Sequence, residues 1–348
     1  MKKLLSLVLV LALVVAFSGI GVAETAYSGI EGEIFWIGKM YDAEVWQAIT
    51  DGAKLAGDEL GVKWNATYPE GGEVDVAGQI ALVENAINAK AAAIVLAPND
   101  SNALVDVCER AREAGIPIVM YDTALADPSL QVAFVSYDFY EQGAIAARSL
   151  GEQLGEAGGT VAIINATAGN EAHMNRENGF VDTIKNEYPQ IEIVGDVQYC
   201  DNDSTVAMNM TYDLATAYPD LTAIYAVNAM CLEGVAPAVE ALGKDINVVG
   251  CDTSDAIIQY VKNGIVTFTS TCFAAAIGYL SMVVAAKVLV GEELTDIEWN
   301  GQTFTLDTET MTYDTGLVSV DASVVADETQ AYKYSPLKWF DVYEGYQW

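Results

Sequence analysis

Histidine occurs once in the 348 residues, as His173. Basic residues are also scarce: 16 lysines and arginines stand against 49 aspartates and glutamates, a formal charge of −33. The arginines are Arg110, Arg112, Arg148 and Arg176. A surface this negative repels nucleic acid and anionic lipid, so no nucleic-acid partner is expected. No Gly-x-x-x-x-Gly-Lys-Ser/Thr run is present, so the chain carries no P-loop motor. Five cysteines (Cys108, Cys200, Cys231, Cys251 and Cys272) lie at spacings that match no zinc or disulfide framework, and an odd count leaves at least one thiol free. The segment DNDSTVAMNMTYD, 201–213, opens like a calcium loop but lacks the central glycine and the terminal glutamate. Neither a metal nor a cofactor is expected.

The chain opens with Lys2 and Lys3, an apolar run and small residues ending in GVA. This is the layout of a secretory signal peptide, 1–23, cut after Ala23. The apolar run is about the length of a short membrane span, so a retained anchor is the alternative. No lipobox cysteine stands near the cut. Cleavage removes two lysines and no acid, leaving a mature charge of about −35. The expected location is the periplasm or the extracellular space.

The remaining length suits two domains of ordinary size. From residue 32 onward, short apolar runs alternate with longer stretches at helical period. EIFWIG (33–38) leads to EVWQAITDGAKLAGDELG (44–61), where Val45, Ile49, Ala53, Ala56 and Leu60 share one face and Gly61 is a helix stop. The same alternation continues through AAAIVLAP and IPIVMYD, and a second set runs from QVAFVSYD to IVTFTSTC. Strands apolar on both faces imply parallel sheets covered by helices on both sides, in two similar α/β halves. Each half holds a mid-helix glycine in a comparable setting, ITDGAKLA and RENGFVDT. The last fifty residues differ. They alternate polar and apolar residues, which suggests strands, and end in the aromatic-rich YKYSPLKWFDVYEGYQW. The expectation is a tail packed over one domain, with a docking surface as the alternative.

Ligands of such sheets bind outside the carboxyl ends of the strands. The polar residues at those ends are Asp42, Asp100, Asp122, Arg176 (one helical turn in), Asn228 and Asp252. Any one of the acids or the asparagine can be a helix cap. Together with an arginine they offer the acceptors and donors that a polyhydroxylated molecule needs. Trp46 adds a flat apolar face, or else a core aromatic.

Several stretches then resemble the periplasmic sugar-binding proteins of the ribose- and galactose-binding type that feed ABC importers. They are VWQAITDGAKLAGDELGV (45–62), AIVLAPNDSNAL (93–104), GIPIVMYDT (115–123), NRENGF, AIYAVNAMCLEGV (223–235), VVGCDTSDAI (248–257) and KNG (262–264). The likeness covers roughly residues 31–295. It implies two Rossmann-like lobes, each a parallel sheet with helices on both faces, joined by three hinge crossings. On that pattern residues 31–124 plus about 274–297 form the N-terminal lobe, 134–271 the C-terminal lobe, and about 298–348 a C-terminal extension. The resemblance places Asp122, Arg176, Asn228, Asp252 and Trp46 on the ligand, Arg176 as a rigid hydrogen-bonding fork. The other reading of Arg176 is a surface arginine paired with Glu177. Asp42 stands near the family's first-helix asparagine. Cys251 replaces a family aromatic and Cys272 a family amide, and both are carried as cleft candidates. Thr123 stands where ribose binders have an arginine, and Ala229 departs from the family's Asn–Asp pair. His173, on the same entry turn as Arg176, is a polar surface residue or a ligand contact.

The implied mechanism is capture of a monosaccharide-like ligand by hinge closure, and delivery by a monomer to a membrane permease. A nucleoside, cyclitol or furanose signal as ligand, a sensor role, and an enzyme built on cleft acids or on Cys251 or Cys272 are the alternatives. Cys251–Cys272 is one candidate disulfide after export. Arg176→Ala is expected to abolish tight ligand binding and to leave the apo melting temperature nearly unchanged.

Overall fold

Strands that are apolar at every position need cover on both faces, and the chain supplies it twice. The computed structural model describes residue 27, residues 29–327, and residues 329, 331–335 and 338. The expected signal peptide and most of the aromatic end lie outside the described residues.

The first sheet is built from β1 (Ile34–Ile37), β2 (Trp64–Thr67), β3 (Ala93–Leu96), β4 (Ile118–Tyr121) and β5 (Ala133–Ser136), in the order β2-β1-β3-β4-β5, all parallel. Residues alternate between its two faces, as the pleat requires. Trp36, Val95, Val119 and Val135 turn toward one cluster, while Phe35, Ile94, Leu96, Ile118 and Met120 join another. Helix α1 (Glu44–Leu60) lies in the first cluster, and α2 (Val76–Asn88) and α3 (Val105–Glu113) cover the other. Gly61 stops α1 as expected, in the left-handed conformation at φ 70°.

The second sheet repeats the plan. It contains β6 (Gly159–Asn165), β7 (Ile191–Ile193), β9 (Ala223–Ala226), β10 (Asn247–Gly250) and β11 (Val266–Cys272), with the short β8 (Gln198–Tyr199) also paired to β6. Helices α4 (Phe139–Leu154) and α5 (Glu171–Glu187) cover one face. On the other lie α6 (Ser204–Ala217), α7 (Ala229–Leu242) and α8 (Asp255–Lys262). Helix α9 (Ala274–Val290) returns to the first lobe and packs on α1.

Two expected boundaries need correction. The C-terminal lobe does not begin at residue 134: β5 pairs with β4, so the chain crosses only after Ser136. An apolar strand carries no mark of the sheet it will join. The described part of the region 298–348 is not a tail over one lobe. After the hairpin β12 (Ile297–Trp299) and β13 (Gln302–Phe304), β14 (Leu306–Asp307) and β15 (Thr312–Asp314) extend the first sheet beyond β5. The chain then crosses, and β16 (Leu317–Val320) pairs antiparallel with β11 at the edge of the second sheet. Beyond it lie α10 (Ala322–Val325) and α11 (Ala331–Tyr334), and Thr253 Oγ1 donates to the Tyr334 carbonyl at 2.7 Å. Among the described residues, three segments therefore pass between the lobes, after β5, after β11 and after β15. The first and third are tied by Thr315 N donating to Ser136 O at 2.8 Å.

Candidate functional site: the cleft between the lobes

Asp122 and Asp252 occupy equivalent corners, one on each lobe. Asp122 follows β4 and Asp252 follows β10, both in the left-handed backbone region, at φ 61° and 70°. Aspartate tolerates this conformation better than most residues, because its short side chain bonds locally. Each corner is locked to the next strand by a hydroxyl: Ser136 Oγ donates to the Asp122 carbonyl, and Thr269 Oγ1 to that of Asp252. Both carboxylates are thereby turned toward the space between the sheets.

Each carboxylate has a buried cation. Lys39, after β1 and only 2% exposed, donates to Asp122 Oδ2 at 2.7 Å. Arg176, in α5 after β6, meets Asp252 with both terminal nitrogens, at 3.0 and 2.8 Å. Arg176 also donates to Gln142 Oε1 (2.7 Å), to the Val227 carbonyl (3.2 Å) and to the Tyr137 hydroxyl (2.7 Å). A guanidinium has five N–H groups, and the protein takes all five. Arg176 lines the cavity with its donors taken by protein groups. It does not pair with Glu177, whose carboxylate receives Asn165 Nδ2 and the Tyr199 hydroxyl.

The cavity is narrow, with about 40 Å³ open to water-sized spheres; counted out through its mouth, the empty space is about 490 Å³. Asp122, Asp252, Arg176, Asn228, Trp46 and His173 all line it, so these sequence candidates are brought together. Trp46 is held by its Nε1 donating to Glu73 Oε1 at 3.1 Å, and Lys39 Nζ lies 5.4 Å from its ring centre. Asn228 caps α7, accepting from Cys231 N at 3.0 Å, while its amide nitrogen donates to Asn202 Oδ1 at 2.8 Å. It is both cap and cavity wall. Burial, then the charges of Arg176 and Lys39, hold the His173 pKa well below its usual value, so the imidazole is neutral. Its Nε2 lies 3.4 Å from Asn228 Nδ2 and 4.0 Å from Glu73 Oε2.

Four candidates fall elsewhere. Asp42 is exposed and edges an adjoining groove, with Glu44 and Glu233, that shares Met40, Ala43, Val45, Ala229 and Met230 with the cavity. Asp100 accepts from the amides of Asn102 and Ala103, and so caps a turn. Cys251 is buried behind Arg176, with its sulfur 3.3 Å from the Tyr225 hydroxyl; burial pushes its thiol up to about 11. Cys272 ends β11 at the second crossing, also buried, its thiol raised by burial and by Asp252 and Asp122. Neither cysteine lines the cavity: Cys251 joins the apolar cluster of the second lobe under α4 and α5, and Cys272 the cluster of the first lobe under α9. In this structure no two cysteine sulfurs are bonded to each other.

Sequence reasoning missed Lys39, Glu73, Tyr137 and Asn202, all of which line the cavity. Lys39 could have been found: it is a lone cation at the carboxyl end of an apolar strand, in WIGKMYD. Tyr137 and Asn202 sit in irregular segments and Glu73 in a single 3-10 turn, Gly72–Val74, all placed by the fold. Burial raises the Glu73 pKa, and its Oε2 accepts from Asn202 Nδ2 at 3.3 Å across the cleft. Two more bridges join the lobes: Glu171 Oε2 accepts from Ser101 Oγ and Ala124 N (3.1 and 3.2 Å), and Glu44 Oε2 from Asp255 N (2.9 Å).

Comparison with known proteins agrees with this geometry. The family described as the periplasmic binding protein domain matches residues 34–293. The chain is 27% identical to the ribose import binding protein of Haemophilus influenzae, over 79% of this chain and 91% of that one. It is 30% identical to the D-allose-binding periplasmic protein of Escherichia coli, over 78% and 83% respectively. A solved carbohydrate-transporter solute-binding protein from Agrobacterium radiobacter, in complex with D-arabinose, superposes with a TM-score of 0.78 at 28% identity, covering 88% of this chain and 99% of that one. Two lobes, three crossings and a cleft faced by paired strand-end aspartates, with a family match across most of the length, lead to one conclusion: the chain belongs to the type I periplasmic binding protein family.

Proposed function

We propose that this chain is an extracytoplasmic solute-binding protein. It closes its lobes over a monosaccharide and presents the closed form to the permease of an ABC importer. The observation that carries this reading is the matched pair of strand-end carboxylates, Asp122 and Asp252, each paired with a buried cation and facing one cavity. Fixed carboxylates accept from neighbouring hydroxyls, Asn228 and Asn202 offer amides, and Trp46 offers a ring face. Arg176 acts in this scheme through Asp252, which it orients. Asp42, Cys251 and Cys272 take no part. The protein works as a monomer and binds without turnover; energy for transport comes from a separate ATPase.

The test is a thermal-shift and calorimetric screen of the mature protein, stripped of co-purified ligand, against pentoses, hexoses and 6-deoxyhexoses. A ligand bound by the native state alone raises the melting temperature by mass action. One sugar class is expected to do so, and Asp122→Asn is expected to weaken its binding about 10- to 100-fold, the worth of a charged hydrogen bond. No shift with any sugar would overturn the reading.

A further inference from the structure

Two thiols stand behind the wall of the cleft. Cys200 follows β8, Cys231 lies in the first turn of α7, and their sulfurs are 3.6 Å apart, both fully buried. Their backbones are fixed: Cys200 N donates to the Asn165 carbonyl at 2.9 Å, and Cys231 N to Asn228 Oδ1 at 3.0 Å. In the folded protein the hydrogen bond with Cys231 lowers the Cys200 thiol, while burial raises that of Cys231, so the two sulfurs titrate as a pair. The next residues, Asp201 and Asn202, are both left-handed, at φ 51° and 58°. Two consecutive non-glycine residues in that region persist only where their surroundings hold them. Asn202 is the residue that reaches both Asn228 and, across the cleft, Glu73.

We propose that Cys200 and Cys231 form a disulfide after export, bracing the Asn202–Asn228 wall of the cleft, while Cys108, Cys251 and Cys272 remain thiols. The oxidant is a disulfide, either of a protein oxidoreductase or of a small thiol such as glutathione. The Cys200 thiolate attacks it and expels one thiolate, giving a mixed disulfide. The Cys231 thiolate then attacks the Cys200 sulfur and expels the second. The pair gives up two electrons and two protons, and the oxidant takes up both as two thiols. Both sulfurs are buried, so exchange takes place while this turn is open, during folding or local unfolding. The proposal needs the extracytoplasmic location proposed above but not the identity of the ligand.

The test equilibrates the mature protein in a series of oxidised and reduced glutathione mixtures. Samples are acid-quenched, denatured and alkylated without reductant, and labels are counted by intact mass. Three labels are expected at the oxidised end and five at the reduced end, with a digest peptide linking residues 200 and 231. Oxidation is expected to raise the melting temperature by on the order of 5–10 °C and to slow amide exchange in residues 200–203 about tenfold. Cys200→Ser, carried through the same series, should accept four labels throughout. Five labels on the wild type at every mixture, or a linked peptide holding Cys251 or Cys272, would overturn the pairing. A 200–231 link with unchanged amide exchange would overturn the bracing.

Discussion

Arg176 shows how a buried ion pair changes what a substitution does. Its guanidinium is spent on Asp252, Gln142, Tyr137 and Val227, so Arg176→Ala leaves a buried carboxylate unpaired as well as changing the cleft. Removing one partner of such a pair costs about 3–5 kcal/mol. The apo protein is therefore expected to lose stability by that amount in denaturant unfolding, contrary to the expectation from sequence, and Arg176→Ala with Asp252→Ala should recover part of the loss. His173 gives a pH signature. Its folded pKa is depressed, so protons bind the unfolded state first, and native stability falls as pH drops below the unfolded value of about 6.5. His173→Gln removes that penalty. Its melting temperature relative to wild type should climb as pH goes from 7 to 5, and a pH-independent difference would show that His173 is not held neutral. Asp122, Asn228 and Asp252 were legible in the sequence because a polar residue at the end of an apolar strand faces the cleft in this class of sheet. Glu73 and Asn202 were not, because no local period places a loop residue against a partner over a hundred positions away.

Among the elements, the helix pairs explain the glycines that the two halves share. A Cβ on Gly179 of α5 would overlap the Tyr140 carbonyl oxygen, and one on Gly143 of α4 would overlap that of Arg176. In the first lobe Gly52 of α1 meets Ala275, and Gly278 of α9 meets Ile49, in the same manner. In both lobes the helices beside the hinge approach until backbone touches backbone. Gly179→Ala should cost about 1–3 kcal/mol by overpacking, despite the better helix propensity of alanine. Because the Arg176 carbonyl belongs to this contact, Gly143→Ala should also disturb the cleft and weaken ligand binding, which calorimetry on the folded variant would read. Helices were legible from their period of about 3.6, and the sheet strands as short unbroken apolar runs. The membership of β5 and β14–β16 was not, since hydrophobic pattern says that a strand is buried and not which sheet buries it.

At the scale of the whole molecule, closure rests on few contacts. Glu171 alone receives two of the hydrogen bonds between lobes. Glu171→Ala should favour the open form, enlarge the radius of gyration in small-angle scattering, and weaken ligand binding about tenfold, since closure energy is drawn from the same equilibrium. An unchanged radius and affinity would place the hinge balance elsewhere. The threading of the final strands has a separate consequence, for the order of assembly. The first sheet lacks its outer strands until residues 306–314 arrive, and the second lacks its edge until residues 317–320 arrive. A chain emerging amino-terminus first can gather helices on either half, yet it leaves β5 and β11 with bare edges, open to pairing with other chains. Both sheets thus gain their last strands late, from a stretch of about fifteen residues that joins one sheet and then the other.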